Sequence, residues 1–214
     1  RDGMTILPPF NLTGSGGVYK SRLEALSGMM QYIAESGKDY VLLADCNVVC
    51  NLDYEKIIDE HINGGADITI AYKRGVAPKL NDTMTFELDG DKITKVIVGE
   101  TGDTAVNYSL NIMVVSRVLL ERLVHGAIGQ GDESFERDVI GKNIAALNIK
   151  GYKVEGYART IDSLQSYYDI SMQLLSGEYR DLFTKDNPVY TKVRDDMPAI
   201  YGVCSKASNS LVAD

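Results

Sequence analysis

Residues 38–54, KDYVLLADCNVVCNLDY, carry the strongest indication of the fold. Its apolar run at residues 40–44 follows Gly37 and predicts a strand that is covered on both faces of a parallel sheet. Asp45 and Asn47 come directly after this run. Ligands bind at the carboxyl ends of strands in open α/β sheets, so Asp45 is placed to meet a ligand or a metal ion. A plain turn at the strand end explains the same residues, and the frequency of Asp in turns favours it.

The composition is that of an ordinary folded domain with excess acidic charge. The chain has 214 residues, of which 44% are hydrophobic and 24% charged, enough to bury one sizeable core. The net charge of −8 disfavours nucleic acid and anionic membranes as partners. No apolar run approaches the roughly 20 residues that span a bilayer. The cysteines Cys46, Cys50 and Cys204 lack the partners of a zinc site and predict a reducing, cytoplasmic setting.

Helical and strand patterns alternate along most of the chain. Apolar spacings of three and four predict helices within residues 18–36, after Asp53, after Ser116 and from Ser134. Apolar or alternating runs predict strands at residues 40–44, 66–73, 107–115 and 150–157. Asp89-Gly90, between residues 84–88 and 93–98, predicts a β-hairpin. Asp162 with Gln165 predicts a capping box for a last helix.

These elements predict a three-layer α/β fold with a mostly parallel sheet and a hairpin insertion. His61 is interpreted as a boundary residue and His125 as a surface residue, because no carboxylate or nucleophile is patterned with either. The sequence contains no Ser/His/Asp set, zinc cluster or Walker loop. Acyl transfer, zinc hydrolysis and P-loop chemistry therefore have no support.

The order of several motifs resembles that of one family. The motifs are YVLLADCNVV (40–49), NLDYEKIIDEHINGGADITIAYK (51–73), YSLNIMVV (108–115), ESFERDVI (133–140), GYARTIDSLQSYYDISMQLL (156–175) and the ending NSLVAD (209–214). They resemble the nucleotidyltransferase domain of bacterial glucose-1-phosphate adenylyltransferase (ADP-glucose pyrophosphorylase). The resemblance implies a Rossmann-like nucleotidyltransferase fold. It also implies that ATP and glucose 1-phosphate are joined to give ADP-glucose and pyrophosphate, with Mg²⁺ held by carboxylates.

The same resemblance implies that the chain is a central fragment. The family's N-terminal strand and glycine-rich nucleotide-binding loop should precede residue 1, and a left-handed β-helix should follow residue 214. We therefore predict an N-terminally truncated nucleotidyltransferase-like domain over residues 1–178. Residues 179–214 are predicted to be a linker towards the β-helix, because they lack sustained periodicity.

Two active-site motifs of the family are altered in this chain. The GDH-like motif of active members corresponds to Ala44-Asp45-Cys46-Asn47, which keeps the metal aspartate and lacks the histidine. Active members also carry an EKP-like motif whose lysine binds the sugar phosphate. The matching stretch VIVGET (96–101) has no lysine, and Gly99 lies near its place.

Two further motifs are weakened. The family's second metal aspartate, in a GYWxDVGT-like motif, falls on Thr160, unless Asp162 reaches in from two residues later. The DFG-like motif survives only as Ser134-Phe135-Glu136, and Asp138 is retained. The degenerate site also includes three polar residues on or after predicted strands, and these are Asn47, Ser109 and Asn111. Asp45 is its candidate Mg²⁺ ligand, functional or vestigial.

Loss of a carboxylate and of the phosphate lysine removes charge stabilisation at a phosphoryl transition state. The pattern resembles the D-type, regulatory subunit of the bacterial enzyme. That resemblance implies a hetero-oligomer, expected to be a tetramer, with a catalytic homologue. ATP, glucose 1-phosphate or sugar-phosphate effectors are further expected ligands. Two alternatives stay open: an active adenylyltransferase that uses Asp45 with Asp162, and a sugar-nucleotide or effector binding module without a transfer role.

Overall fold

The computed structural model describes residues 5–7, 19–175, 182, 187–189, 202–206 and 208. The chain forms two compact units: a large unit of Arg1–Asp45 and Tyr54–Lys153, and a small unit of Cys46–Asp53 and Val154–Asp214. The predicted boundary at residue 178 and most of the predicted linker after it lie outside the described residues. Both stay predictions.

Helices and strands alternate as expected, and the mixed α/β class is confirmed. The helices are α1 (Arg22–Glu35), α2 (Tyr54–Gly64), α3 (Arg117–Gln130) and α4 (Leu164–Leu174), with a π-helix at Phe135–Gly141. The strands are β1 (Tyr40–Leu43), β2 (Val48–Cys50), β3 (Ile68–Val76), β4 (Met84–Asp89), β5 (Lys92–Val98), β6 (Ala105–Ser116), β7 (Ile149–Lys153) and β8 (Ala158–Thr160). None of the described helices is long and apolar enough to cross a membrane.

The large unit contains a six-stranded sheet in the order β1-β6-β3-β7-β5-β4. The prediction of a mostly parallel sheet was wrong for the described residues. There, β3 and β7 run parallel, and every other pairing in this sheet is antiparallel. The reason is that β6 runs back between β1 and β3. These two strands of the predicted βαβ unit point the same way but are not neighbours.

Strand β1 lies at the end of the described strand order, beside β6. The prediction of a strand covered on both faces was therefore wrong: Tyr40 is exposed, and Val41, Leu42 and Leu43 are only partly buried. Its continuous apolar run does not distinguish a central strand from an edge strand.

The predicted hairpin forms, and both of its strands belong to the sheet. β4 and β5 pair around the Asp89-Gly90 turn, where Gly90 has a φ of 62°. β5 pairs with β7 through Lys92 and Lys150, and β4 returns to β6 through Thr85 and Phe86. Strands β6, β3, β7, β5 and β4 therefore close into a ring.

Helix α1 buries the predicted apolar face. Leu23, Leu26 and Met30 are buried, and Ile33 packs against the same core. Each such side chain contributes roughly 1.5–3 kcal/mol when it leaves water. The helix begins after Ser21, whose Oγ accepts a hydrogen bond from the Glu24 backbone N–H. This cap fixes the position of Arg22, the first helical residue.

Two predictions near the end of the described chain need correction. Residues 150–157 are not one strand: β7 ends at Lys153, and β8 begins at Ala158 in the small unit. The last helix is capped by Ser163 and not by Asp162. The side chains of Ser163 and Ser166 form the capping box, which the Asp162/Gln165 pattern placed one residue too early.

Candidate functional site

A bulge in β6 creates the centre of the candidate site. The register between β3 and β6 shifts after Ala71, which pairs with Ile112, because the next residue, Tyr72, pairs with Ser109. Leu110 and Asn111 are the extra residues, and Asn111 has a φ of 57°. Asparagine tolerates this left-handed conformation better than most residues do. The Ser109 Oγ accepts a 2.9 Å hydrogen bond from the Asn111 backbone N–H, which holds the bulge.

The bulge directs Asn111 at the carboxylate that follows β1. The Asn111 Nδ2 donates a 2.8 Å hydrogen bond to Asp45 Oδ2. The same oxygen lies 2.5 Å from Nη2 of Arg22. Two positions of the degenerate site, Asp45 and Asn111, therefore come together, and Ser109 supports them.

Glu136 completes this cluster from the π-helix. Nη1 of Arg22 lies 2.9 Å from Glu136 Oε1, and the Ser134 Oγ donates a 3.4 Å hydrogen bond to Oε2. The glutamate is only 3% exposed. Burial raises the pKa of its carboxyl, and the positive charge of Arg22 opposes this rise. We call Arg22, Asp45, Ser109, Asn111 and Glu136 the arginine cluster.

The arginine cluster suits a Mg²⁺ ion poorly while Arg22 is in place, although the buried Asn111 Oδ1 and Glu136 Oε1 accept no hydrogen bond. Mg²⁺ needs oxygen ligands at about 2.0–2.1 Å in octahedral geometry, and a coordinating oxygen must offer a lone pair. Asp45 Oδ2 already faces two N–H donors, from Arg22 and Asn111. Within the described part of the chain, no group of three or more His, Cys, Asp or Glu residues could hold a metal ion. The geometry thus gives the predicted Mg²⁺ ligation by Asp45 no support.

The backbone at Gly99 disfavours the expected lysine. Gly99 follows β5 with a φ of 79°, and its N–H donates a 2.9 Å hydrogen bond to the Thr83 carbonyl. A Cβ at this position would lie 2.9 Å from the Asn81 carbonyl oxygen. A residue with a side chain would therefore meet both backbone strain and a steric clash.

Asp138 has a structural role in the π-helix. Its Oδ2 accepts hydrogen bonds from the backbone N–H groups of Ser134 (3.0 Å) and Glu133 (3.2 Å). The Ser134 hydrogen bond is the largest cause that lowers the pKa of Asp138, and Lys142 adds to it. A carboxylate that caps free N–H groups needs no catalytic role to explain its presence.

The remaining predicted site residues belong to the small unit. Thr160 is in β8 and pairs with Val48 of β2. The Asn47 Nδ2 donates a 3.3 Å hydrogen bond to the Ile161 carbonyl, and the Ser163 Oγ donates to Asp162 Oδ1 at 3.1 Å. The pairing of Asp45 with Asp162 in one metal site stays a prediction.

Sequence reasoning missed Arg22, and it named Glu136 only as part of the DFG-like stretch and not as a site residue. The signal of Arg22 was weak, because a cation in the first turn of a helix opposes the helix dipole only modestly and gains from an anionic partner. Glu136 lies three and four residues before Val139 and Ile140, so it shares their buried face. A carboxylate on such a face is rarely buried without a partner.

Comparison with known proteins adds sequence relatives. No protein-family model matches the chain. The chain is 27% identical over 215 residues to "Glycogen biosynthesis protein GlgD" of Bacillus subtilis (strain 168), covering 100% of this chain and 53% of that protein. It is 28% identical over 225 residues to "Glucose-1-phosphate adenylyltransferase" of Halalkalibacterium halodurans, covering 98% and 56%. It is also 28% identical over 221 residues to the adenylyltransferase of Pseudothermotoga lettingae, covering 100% and 52%.

These matches confirm the family resemblance on which the motif analysis rested. The chain is related to the glucose-1-phosphate adenylyltransferases. The similarity to GlgD extends over the whole length of this chain. The chain spans about half the length of the curated relatives that it matches.

Proposed function

We propose that this chain is part of a regulatory, non-catalytic subunit of glucose-1-phosphate adenylyltransferase in glycogen biosynthesis. The observation that carries the proposal is Gly99. In the family resemblance, a lysine near this position binds the sugar phosphate. Here the φ of 79° and the close Asn81 carbonyl disfavour any side chain.

The missing lysine matters because phosphoryl transfer depends on positioned positive charge. Removal of one preorganised electrostatic group at such a site typically costs about 3–4 kcal/mol of transition-state stabilisation. A single substitution at Gly99 would also strain the backbone, so the lost cation is not easily recovered. The similarity to GlgD also supports the proposed regulatory role.

As a regulatory subunit, the protein would act on a catalytic homologue in a cytoplasmic hetero-oligomer. Its effect would be to stabilise the catalytically active conformation of the homologue. A coupling free energy of about 1–3 kcal/mol would change the partner's substrate affinity roughly 5–150-fold. Sugar phosphates or nucleotides are candidate effectors of this coupling. The Rossmann-like, three-layer arrangement of the complete domain is part of the same proposal.

The test is ADP-glucose formation by the full-length protein, alone and mixed with the catalytic homologue, with Mg²⁺ and both substrates. We expect no product from the protein alone and a changed rate or substrate affinity in the mixture. The control replaces this protein with an equal concentration of an inert protein. Turnover by the protein alone at a rate comparable to the homologue, or a mixture identical to the control, would contradict the proposal.

An active adenylyltransferase is the second candidate. It is favoured by the retained Asp45, which is oriented by Asn111, and by the similarity to adenylyltransferases at 28% identity. This candidate requires Mg²⁺-dependent turnover by the protein alone that disappears in Asp45→Ala. If turnover survives that substitution, it comes from a contaminating enzyme and the second candidate fails.

A further inference from the structure

One guanidinium holds the two carboxylates of the arginine cluster. The Asp45 carboxylate contacts Nη2 of Arg22, and the Glu136 carboxylate contacts Nη1. The side chain of Arg22 is 15% exposed, and that of Glu136 is 4% exposed. The side chain of Asp45 is 30% exposed, so solvent screens the Arg22–Asp45 contact more than the buried Arg22–Glu136 contact.

The place of Arg22 in α1 makes this pairing informative. Arg22 is the first helical residue, where the exposed backbone N–H groups already create a positive field. A mostly buried cation is unfavourable there unless carboxylates compensate it. Its two acidic partners come from other elements, the segment after β1 and the π-helix. The fold thus brings the carboxylates to the arginine.

We propose that the Arg22 guanidinium is a built-in cation that takes the place of a divalent metal ion between Asp45 and Glu136. A planar guanidinium is well matched to two carboxylates, one on each terminal nitrogen. While it is present, its positive charge repels a dication, and Asp45 Oδ2 faces the N–H donors of Arg22 and Asn111. The cluster therefore binds no Mg²⁺ or Mn²⁺. This inference deepens the proposed regulatory role and rests on it for its biological meaning, but its test measures metal binding and not turnover.

Removal of the guanidinium should expose a metal site. In Arg22→Met, Asp45 and Glu136 lose their shared cation and become two neighbouring carboxylates beside the Asn111 carboxamide. Oxygen ligands of this kind suit Mn²⁺ as well as Mg²⁺. We expect the variant to bind Mn²⁺ at least about tenfold more tightly than the wild type, a gain of roughly 1.4 kcal/mol.

The experiment is a Mn²⁺ titration of the full-length protein, without nucleotide, followed by electron paramagnetic resonance of the free ion. The wild type should leave Mn²⁺ free, and Arg22→Met should bind it. The double variant Arg22→Met/Asp45→Asn should lose the gained binding, which assigns it to Asp45. The matched control is Arg117→Met, because Arg117 forms an ion pair with Glu121 on α3, outside the arginine cluster. Arg117→Met should bind Mn²⁺ no more tightly than the wild type.

Two results would overturn the inference. One is that the wild type binds Mn²⁺ and Asp45→Asn does not. The metal would then bind at Asp45 while Arg22 is still present. The other is a folded Arg22→Met variant that gains no Mn²⁺ binding. If that variant does not fold, Arg22→Gln removes the charge but keeps an N–H donor, and the same two results apply to it. Neither result depends on ADP-glucose formation, so failure of the inference and failure of the proposed function are distinguishable.

Discussion

At the scale of single residues, Gly99 is the position where backbone geometry excludes the expected chemistry. We predict that Gly99→Ala lowers the free energy of unfolding by about 1–3 kcal/mol, because alanine there adopts a left-handed φ and approaches the Asn81 carbonyl. Urea unfolding measures the change. Gly102→Ala is the control, since its Cβ would meet nothing closer than 3.9 Å. Equal stabilities of the two variants would contradict this account of Gly99.

Asn111 combines a strained backbone with a side-chain hydrogen bond, and two substitutions separate these effects. Asn111→Gly loses the bond to Asp45 but accepts the φ of 57° without strain. Asn111→Ala loses the bond and is more strained at this φ than asparagine is. We predict that the alanine variant is less stable than the glycine variant by about 1 kcal/mol in urea unfolding. An alanine variant as stable as the glycine variant would show that the bulge relaxes.

The sequence allowed some residues of the candidate site to be predicted, but not their arrangement. Asp45 was visible because it follows an apolar run, and Asn111 because it shares a strand with Ser109. The contact between Asp45 and Asn111 was not predictable, since it depends on a bulge that no local pattern marks. Arg22 and Glu136 are charged residues that need partners where they are buried. Neither has a distinctive sequence pattern of its own, so their pairing became visible only in the structure.

At the scale of elements, His61 connects α2 to the sheet. Its Nδ1 lies 2.8 Å from the Thr69 Oγ1 of β3, and Tyr40 of β1 packs edge-on against its ring. The interpretation as a boundary residue was wrong, because the imidazole is only 3% exposed. His125 on α3 is exposed, as expected. Burial lowers the pKa of His61 from its usual 6.5, although the negative charge of Asp67 opposes this shift.

This lowered pKa predicts a pH-dependent stability. Below pH 6.5 the unfolded chain gains a proton on His61 that the folded chain resists, so stability is present above this pH and falls as pH drops. Urea unfolding at about pH 7.5 and about pH 5.5 should therefore show a smaller loss of stability in His61→Gln than in the wild type. His125→Gln is the matched control. If His61→Gln shows the same pH dependence of stability as the wild type, that dependence arises from groups other than His61.

Element types were predictable, but strand directions were not. The strand and helix patterns correctly located the hairpin, the Ser116 cap and the buried face of α1. The parallel sheet was inferred from strand-helix-strand order, which fixes the direction of β1 relative to β3 but not which strand lies between them. Whether β6 inserts there depends on long-range packing, and the same apolar residues suit either arrangement.

At the scale of the whole molecule, nucleotidyl transfer requires several charged groups to act together, and the proposed function implies that more than one of them is altered in this chain. The guanidinium of Arg22 contacts the carboxylate of Asp45, and Gly99 lies near the place where the family resemblance implies a lysine that binds the sugar phosphate. Groups that act as a unit in catalysis have strongly non-additive effects. Recovery of one group should therefore recover little activity while the others are missing.

This reasoning gives a last prediction, for the full-length protein. Arg22→Met should gain Mn²⁺ binding yet form no ADP-glucose by itself, because a metal ion at Asp45 does not supply the missing charge at Gly99. In the mixture with the catalytic homologue, the variant should still change the partner's substrate affinity, since that coupling acts through assembly. Product formation, with wild-type protein alone and Arg117→Met alone as controls, measures the outcome. Asp45-dependent turnover by Arg22→Met alone would mean that the protein is a catalyst inhibited by its own arginine, and that Gly99 removes nothing essential.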